Sequence, residues 1–172
     1  MTKPFVAILM GSDSDFPVMQ ATTEILASFG IAFEVKVSSA HRTPERTLAY
    51  VKDAEKRGCA VFICAAGLAA HLAGTVAAHT LKPVLGVPLE GGSLQGMDSL
   101  LSTVQMPAGI PVGCVAIGKA GAQNAGFLSA QILALQDAAL YEKLIQQRQN
   151  NAKKIAEKDA ALQEKIALTL QS

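Results

Sequence analysis

Apolar runs of strand length alternate with longer amphipathic segments through the first 117 residues, and this alternation constrains the fold more than any other feature. The runs are Phe5–Met10, Ala32–Val37, Val61–Ala65, Pro83–Val87 and Val112–Ile117. Between the first two, Phe16–Phe29 carries Val18, Met19, Thr22, Ile25, Leu26 and Phe29 at helical spacing, with Gly30 as the C′ residue. The next helix opens with Thr43-Pro44-Glu45 and ends near Arg57-Gly58. Thr can cap exposed N–H groups, Pro fits the first helical position, and Glu suits the positive end of the dipole. Strands alternating with helices build a parallel sheet covered on both faces. Five of them in this length predict an α/β fold, a flavodoxin-like doubly wound parallel sheet.

Beyond Leu89 the chain is richer in Gly, Ser and Met as far as Pro111, with a short helix expected over Asp98–Gln105. An Ala-rich helix follows at Gly118–Leu135, whose small side chains admit another helix at close range. Asp137–Leu170 reads as a long, more charged helix with a narrow apolar stripe at Tyr141, Ile145, Ile155, Leu162 and Ile166. Residues 1–172 are read as one α/β domain, with 137–172 as a C-terminal helical extension. Packing on its own domain and bridging to another subunit both fit the stripe.

Only 18 charged side chains fall in the first 136 residues, about half the density usual for a soluble domain. A body so poorly charged is expected to bury surface against copies of itself. The net charge of +1 gives no electrostatic case for nucleic acid or an anionic membrane. The opening MTKPFVAILMGSD has too short an apolar run for a signal peptide or a membrane helix, so the expected location is the cytoplasm. Cys59, Cys64 and Cys114 form no CxxC pair. Cys64 and Cys114 read as core residues, and Cys59 receives no role. The three histidines show no i,i+4 pairing, so no metal site is expected.

In open α/β sheets ligands bind beyond the carboxyl ends of the strands, near a topological switch point. Three segments would meet there: Gly11-Ser12-Asp13-Ser14-Asp15, Ser38-Ser39-Ala40-His41-Arg42 and Ala66-Gly67-Leu68-Ala69-Ala70-His71. The first combines a glycine turn, hydroxyls and free amides at a helix start, which suits a phosphate. Asp15 is its candidate acceptor for ribose hydroxyls, against the plainer role of an N-cap, and Asp13 reads as solvated. In the second, Arg42 offers a planar fork for phosphate oxygens, and His41 a proton exchanger near neutral pH. A surface arginine and a loop histidine are the plainer alternatives. His71, alone among Gly, Ala and Leu, reads as a satisfied structural residue, and His79 as a helix-end contact.

MGSDSD, SSAHRTPER, GLAAHLAG, PVLGVPL, DSLLSTVQMPAGIPVG and AIGKAGAQNA occur in that order between residues 5 and 136. In this respect the chain resembles the class I N5-carboxyaminoimidazole ribonucleotide mutases, also called the catalytic subunit of phosphoribosylaminoimidazole carboxylase. The resemblance implies an octamer of flavodoxin-like subunits, with the C-terminal helix reaching over neighbours. It implies a carboxylate shift from N5 to C4 in purine biosynthesis, without cofactor, metal or ATP. His41 falls at the family's general acid/base. Ser12, Asp15 and Arg42, supported by Ser39, fall at its phosphate and ribose contacts. Gly67, Leu68, Ala69, His71 and Leu72 fall where it holds the imidazole and the migrating carboxylate, and Gly11 and Ala40 complete the implied site. Leu68 and Ala73 stand where many relatives have Gly and Pro.

Three rivals are weighed against this. A carboxylase using free carbon dioxide differs only in substrate, and SAHR and AAHL favour the mutase. A flavodoxin-like binding protein lacks a flavin platform, because there is no Trp and both Tyr50 and Tyr141 fall in expected helices. A phosphoacceptor signalling domain lacks its nucleophile, since Cys64-Ala65-Ala66 ends the third strand where an Asp is required.

Overall fold

The computed structural model describes residues 3–170. It resolves into two compact units, one ending at Ile132 and the other beginning at Leu133. The first holds five parallel strands: β1 (Phe5–Met10), β2 (Ala32–Val37), β3 (Cys59–Ala66), β4 (Val84–Pro88) and β5 (Gly113–Cys114). Their order in the sheet is β2-β1-β3-β4-β5, the flavodoxin-like arrangement expected from the sequence. The chain moves outward from β1 to β2, then crosses back to β3 on the other side of β1. The switch point therefore lies between β1 and β3.

Every residue of β1 is buried, because the strand is paired on both sides and covered on both faces. Phe5, Ala7 and Leu9 face a core built with Val51 and Ala54 of α2 (Pro44–Lys56) and with Leu72, Ala73 and Val76 of α3 (Leu72–Ala77). Val6 and Ile8 point the other way and are equally buried. Helices α1 (Phe16–Ser28) and α5 (Gly118–Ala134), absent from that core, cover the opposite face. They approach closely: Thr22 Oγ1 donates to the Ala122 carbonyl at 2.6 Å. A Cβ on Gly126 would lie 2.9 Å from the Ile25 side chain, so glycine is needed for this contact. A further helix, α4 (Met97–Val104), lies between β4 and β5 in sequence.

Most expected elements are present with shifts of one or two residues, but three local readings need correction. Val112–Ile117 narrows to two strand residues, because β5 pairs with β4 alone, at Leu85 and Gly86. Thr43 does not cap α2 with its side chain; its hydroxyl turns back to accept from the Ser39 amide and donate to the Ser39 carbonyl. Cys64 is fully buried, whereas Cys114 on the short edge strand is only partly so. Burial pushes the Cys64 thiol above its ordinary range, and Cys59 up to about 11.

The second unit is dominated by α6 (Ala138–Thr169), whose N-cap Asp137 accepts from the Leu140 amide at 3.0 Å. Tyr141, Ile155, Leu162 and Ile166 of the expected stripe are exposed. No helix among the described residues is long and apolar enough to cross a membrane.

Candidate functional site

The sheet sets the site by bringing the loops after β1, β2 and β3 to one end. There they line a cleft of about 510 Å³ together with a fourth loop, after β4. Gly11, Ser12, Asp15, Ser39, Ala40, His41, Arg42, Gly67, Leu68, Ala69, His71 and Leu72 all lie on its walls. Three segments were expected there; four are found, and the fourth supplies Glu90, Gly91 and Gly92. The signal for it was topological, since β4 pairs with β3 and PLEGG follows directly. A larger cleft, about 850 Å³, opens at the other end among residues such as Glu55, His79, Lys82 and Gly109. It lies at the amino end of β4, away from the switch point, so size does not decide between them.

The first loop is a 3-10 turn over Asp13–Asp15 that closes on itself. The Ser12 amide donates to Asp15 Oδ2 at 3.0 Å, while the Ser12 hydroxyl accepts from the Ser14 amide at 3.3 Å. Asp15 thus closes a reciprocal capping box and makes no side-chain cap on α1 itself. Its carboxyl sits above the usual aspartate value, first because burial disfavours its charge and then because Asp13 is nearby. Asp13 is exposed, as expected, and accepts from Ser12 Oγ and the Ser14 amide.

The second loop is anchored at its entrance, where the Ser38 amide donates to the Met10 carbonyl and the buried Ser38 and Thr47 hydroxyls meet at 2.7 Å. Arg42 reaches back across the cleft. Its Nη2 donates to the Gly11 carbonyl at 3.1 Å, and its Nε and backbone amide lie 3.4 and 3.2 Å from Ser39 Oγ. The guanidinium therefore stands beside the first loop with donors left over for an anion.

His71 is not the isolated structural residue expected from its apolar neighbours. It is exposed at the start of α3, and its Nδ1 lies 2.7 Å from His41 Nε2. The rings meet edge to face, with centroids 4.8 Å apart. One nitrogen must donate and the other accept, so each ring fixes the tautomer of the other. Their separation of 30 residues hid this pair from any spacing rule. His79, by contrast, lies just beyond α3 and contacts the Thr75 carbonyl of that helix, as expected.

The third loop contains an unusual backbone. Leu68 has a φ of 55°, a left-handed conformation that costs a non-glycine residue about 1–2 kcal/mol. Its side chain lies against Gly92 of the fourth loop, where an added Cβ would come within 2.6 Å of Leu68 Cδ2. It is one of the two positions that the resemblance marked as departures from the family pattern. Ala73, the other departure, is buried in the first turn of α3.

A family model described as AIR carboxylase matches residues 5–154. The N5-carboxyaminoimidazole ribonucleotide mutase of Pyrococcus horikoshii is 49% identical over 162 residues, which is 94% of this chain and 90% of the relative. The protein of the same name from Bacillus subtilis is 50% identical over 90% of this chain and 96% of its own length. That from Escherichia coli K12 is 54% identical over 81% and 82%. Among solved structures, Treponema denticola PurE superposes with a TM-score of 0.84 at 31% identity, covering 93% of this chain and 99% of that one.

Proposed function

The chain belongs to the AIR carboxylase family, and from that premise we propose that it is an isomerase moving the carboxylate of N5-carboxyaminoimidazole ribonucleotide from the N5 amine to C4, in purine biosynthesis. The observation that supports the reading most directly is the cleft at the switch point. It combines a serine-rich turn, a bridging arginine and a hydrogen-bonded histidine pair.

The phosphate sits against the Ser12 turn and Arg42, supported by Ser39, with Gly11 and Ala40 alongside. Asp15 keeps one oxygen on the Ser12 amide and accepts from the ribose hydroxyls. Gly67, Leu68, Ala69 and Leu72 hold the imidazole. The N-carboxylate is a carbamate: its N–C bond breaks, the bonding pair stays on nitrogen and takes a proton from His41, and carbon dioxide is released within the cleft. The aminoimidazole is then an enamine whose C4 attacks that carbon dioxide. The new C4–carboxylate still bears a hydrogen, and His41 removes it as a proton to restore aromaticity. His71 holds the His41 ring in the tautomer this requires. The test offers the purified protein the N5-carboxylated nucleotide without ATP or added metal, and separately aminoimidazole ribonucleotide with bicarbonate. Faster product formation from the second substrate would replace the mutase by a carboxylase.

The assembly in this reading is a homo-octamer of single α/β subunits in the cytoplasm, with residues 137–172 at a subunit interface. Support comes from the poorly charged body and from Met97, Leu101 and Val104, which share one exposed face of α4. Light scattering that returns a monomer mass at micromolar concentration refutes it.

A further inference from the structure

We propose that Leu68 is a specificity-determining residue that keeps released carbon dioxide over the imidazole by closing the gap between the loops after β3 and β4. The inference rests on the mutase reading above. Leu68 holds a left-handed backbone that glycine would adopt freely, and such conformations persist where the surroundings enforce them. What lies against it is Gly92, itself at a φ of 61°, with no side chain to keep the leucine away. Both residues line the cleft, on different loops, so the leucine side chain spans from one wall to the other. It is 54% exposed, which leaves an apolar surface free at the cleft.

The chemistry needs such a surface. Carbon dioxide is uncharged and apolar, so no ion pair can retain it. A wall without gaps and without water is what keeps it near C4 while the enamine forms its bond. A glycine at 68 would leave the passage between the two loops open. The left-handed backbone thus positions a leucine side chain where the fold would otherwise end in bare main chain.

The experiment supplies unlabelled N5-carboxylated nucleotide in buffer equilibrated with ¹³C-bicarbonate and carbonic anhydrase. Mass spectrometry then reads the labelled fraction of the C4-carboxylated product, corrected for the reaction without protein. In the unsubstituted chain the product stays largely unlabelled. Leu68→Gly and Leu68→Ala raise the ratio of labelled to unlabelled product by about tenfold, the low end of what one apolar group in a pocket wall contributes to discrimination. Leu68→Met, which restores apolar length, returns it towards the unsubstituted value. Gly92→Ala drives Leu68 from its seat and raises labelling with the leucine still present. Leu68→Gly removes the backbone strain, so its melting temperature does not fall and unfolding cannot mimic the effect. Variants that turn over with unchanged labelling, or lose kcat without a change in labelling, overturn the proposal while leaving the mutase reading intact. A fully labelled product from the unsubstituted chain overturns both, because the carboxylate then comes from free carbon dioxide. No conversion by the unsubstituted chain overturns both.

Discussion

Replacing His41 by Asn tests the chemical step apart from binding. The variant retains a polar side chain of similar reach, and the Arg42–Gly11 and Ser39 contacts that fix the loop do not involve the imidazole. Folding and nucleotide affinity should therefore stay close to normal, whereas loss of the base lowers kcat by ~10²–10⁴-fold. The neighbouring ring sharpens the prediction. His71 meets His41 through one hydrogen bond of 2.7 Å between two exposed side chains. A neutral bond contributes ~0.5–1.5 kcal/mol, so His71→Ala should lower kcat by roughly 2- to 10-fold. If His71 acts through His41, the double variant is no slower than His41→Asn alone. The assay follows kcat and KM from the absorbance of the carboxylated product, with calorimetric titration of that product as the binding control. His41→Asn turning over within a few-fold of the parent refutes the assignment. So does His71→Ala falling as far as His41→Asn, which would make His71 the base.

Arg42→Ala should raise KM by the ~1.5–3 kcal/mol of a charged hydrogen bond, and Arg42→Lys should recover only part, because a point charge cannot reach both Gly11 and the ligand as a fork does. Unchanged KM in both variants removes Arg42 from the phosphate site. Asp15→Asn keeps a carbonyl oxygen for the Ser12 amide, so the capping box survives while the charge goes. The Asp15 carboxyl is raised in the folded state, so its contribution to stability is greatest below its unfolded value of 3.8 and is lost as pH rises through the raised value. Melting curves should therefore show Asp15→Asn gaining on the parent as pH rises through that window, with KM raised at neutral pH. A parent that gains instead contradicts the burial argument.

The strands were legible where pairing is complete. β1 and β2 have the expected bounds, Phe5–Met10 and Ala32–Val37, because each pairs along its full length with the other. β5 was overcalled because Val112–Ile117 is apolar enough for a strand, yet only one neighbour is available to pair with it. α3 carries no periodic signature at all. LAGTVA is less than two turns long, with a glycine and two β-branched residues, and its helical form comes from burying Leu72, Ala73 and Val76 on the sheet. Alternation implied a doubly wound sheet that reverses direction somewhere, whereas the place of the reversal, at β1/β3, is seen only in the strand order itself.

The site was legible as a list of loops and illegible as a set of contacts, for a reason that lies in how its side chains are used. Asp15 was read as either ribose acceptor or N-cap, two roles treated as exclusive. The capping box occupies one oxygen with the Ser12 amide, and a carboxylate has a second to offer. Arg42 likewise spends one guanidinium nitrogen on the Gly11 carbonyl while a planar fork of five donors leaves others for a ligand. Arg42 thus ties the second loop to the first while Asp15 closes the first on itself, and a cleft held this way loses less side-chain freedom when a ligand enters. The resemblance placed His71 in the site, but its contact with His41 escaped detection for the complementary reason. Its local sequence is apolar because it lies beside a core helix, and only the sheet order brings it to His41. Leu68 was visible as a departure from the family pattern, but its meaning depended on a backbone angle and on Gly92 across the cleft, neither of which a single sequence contains.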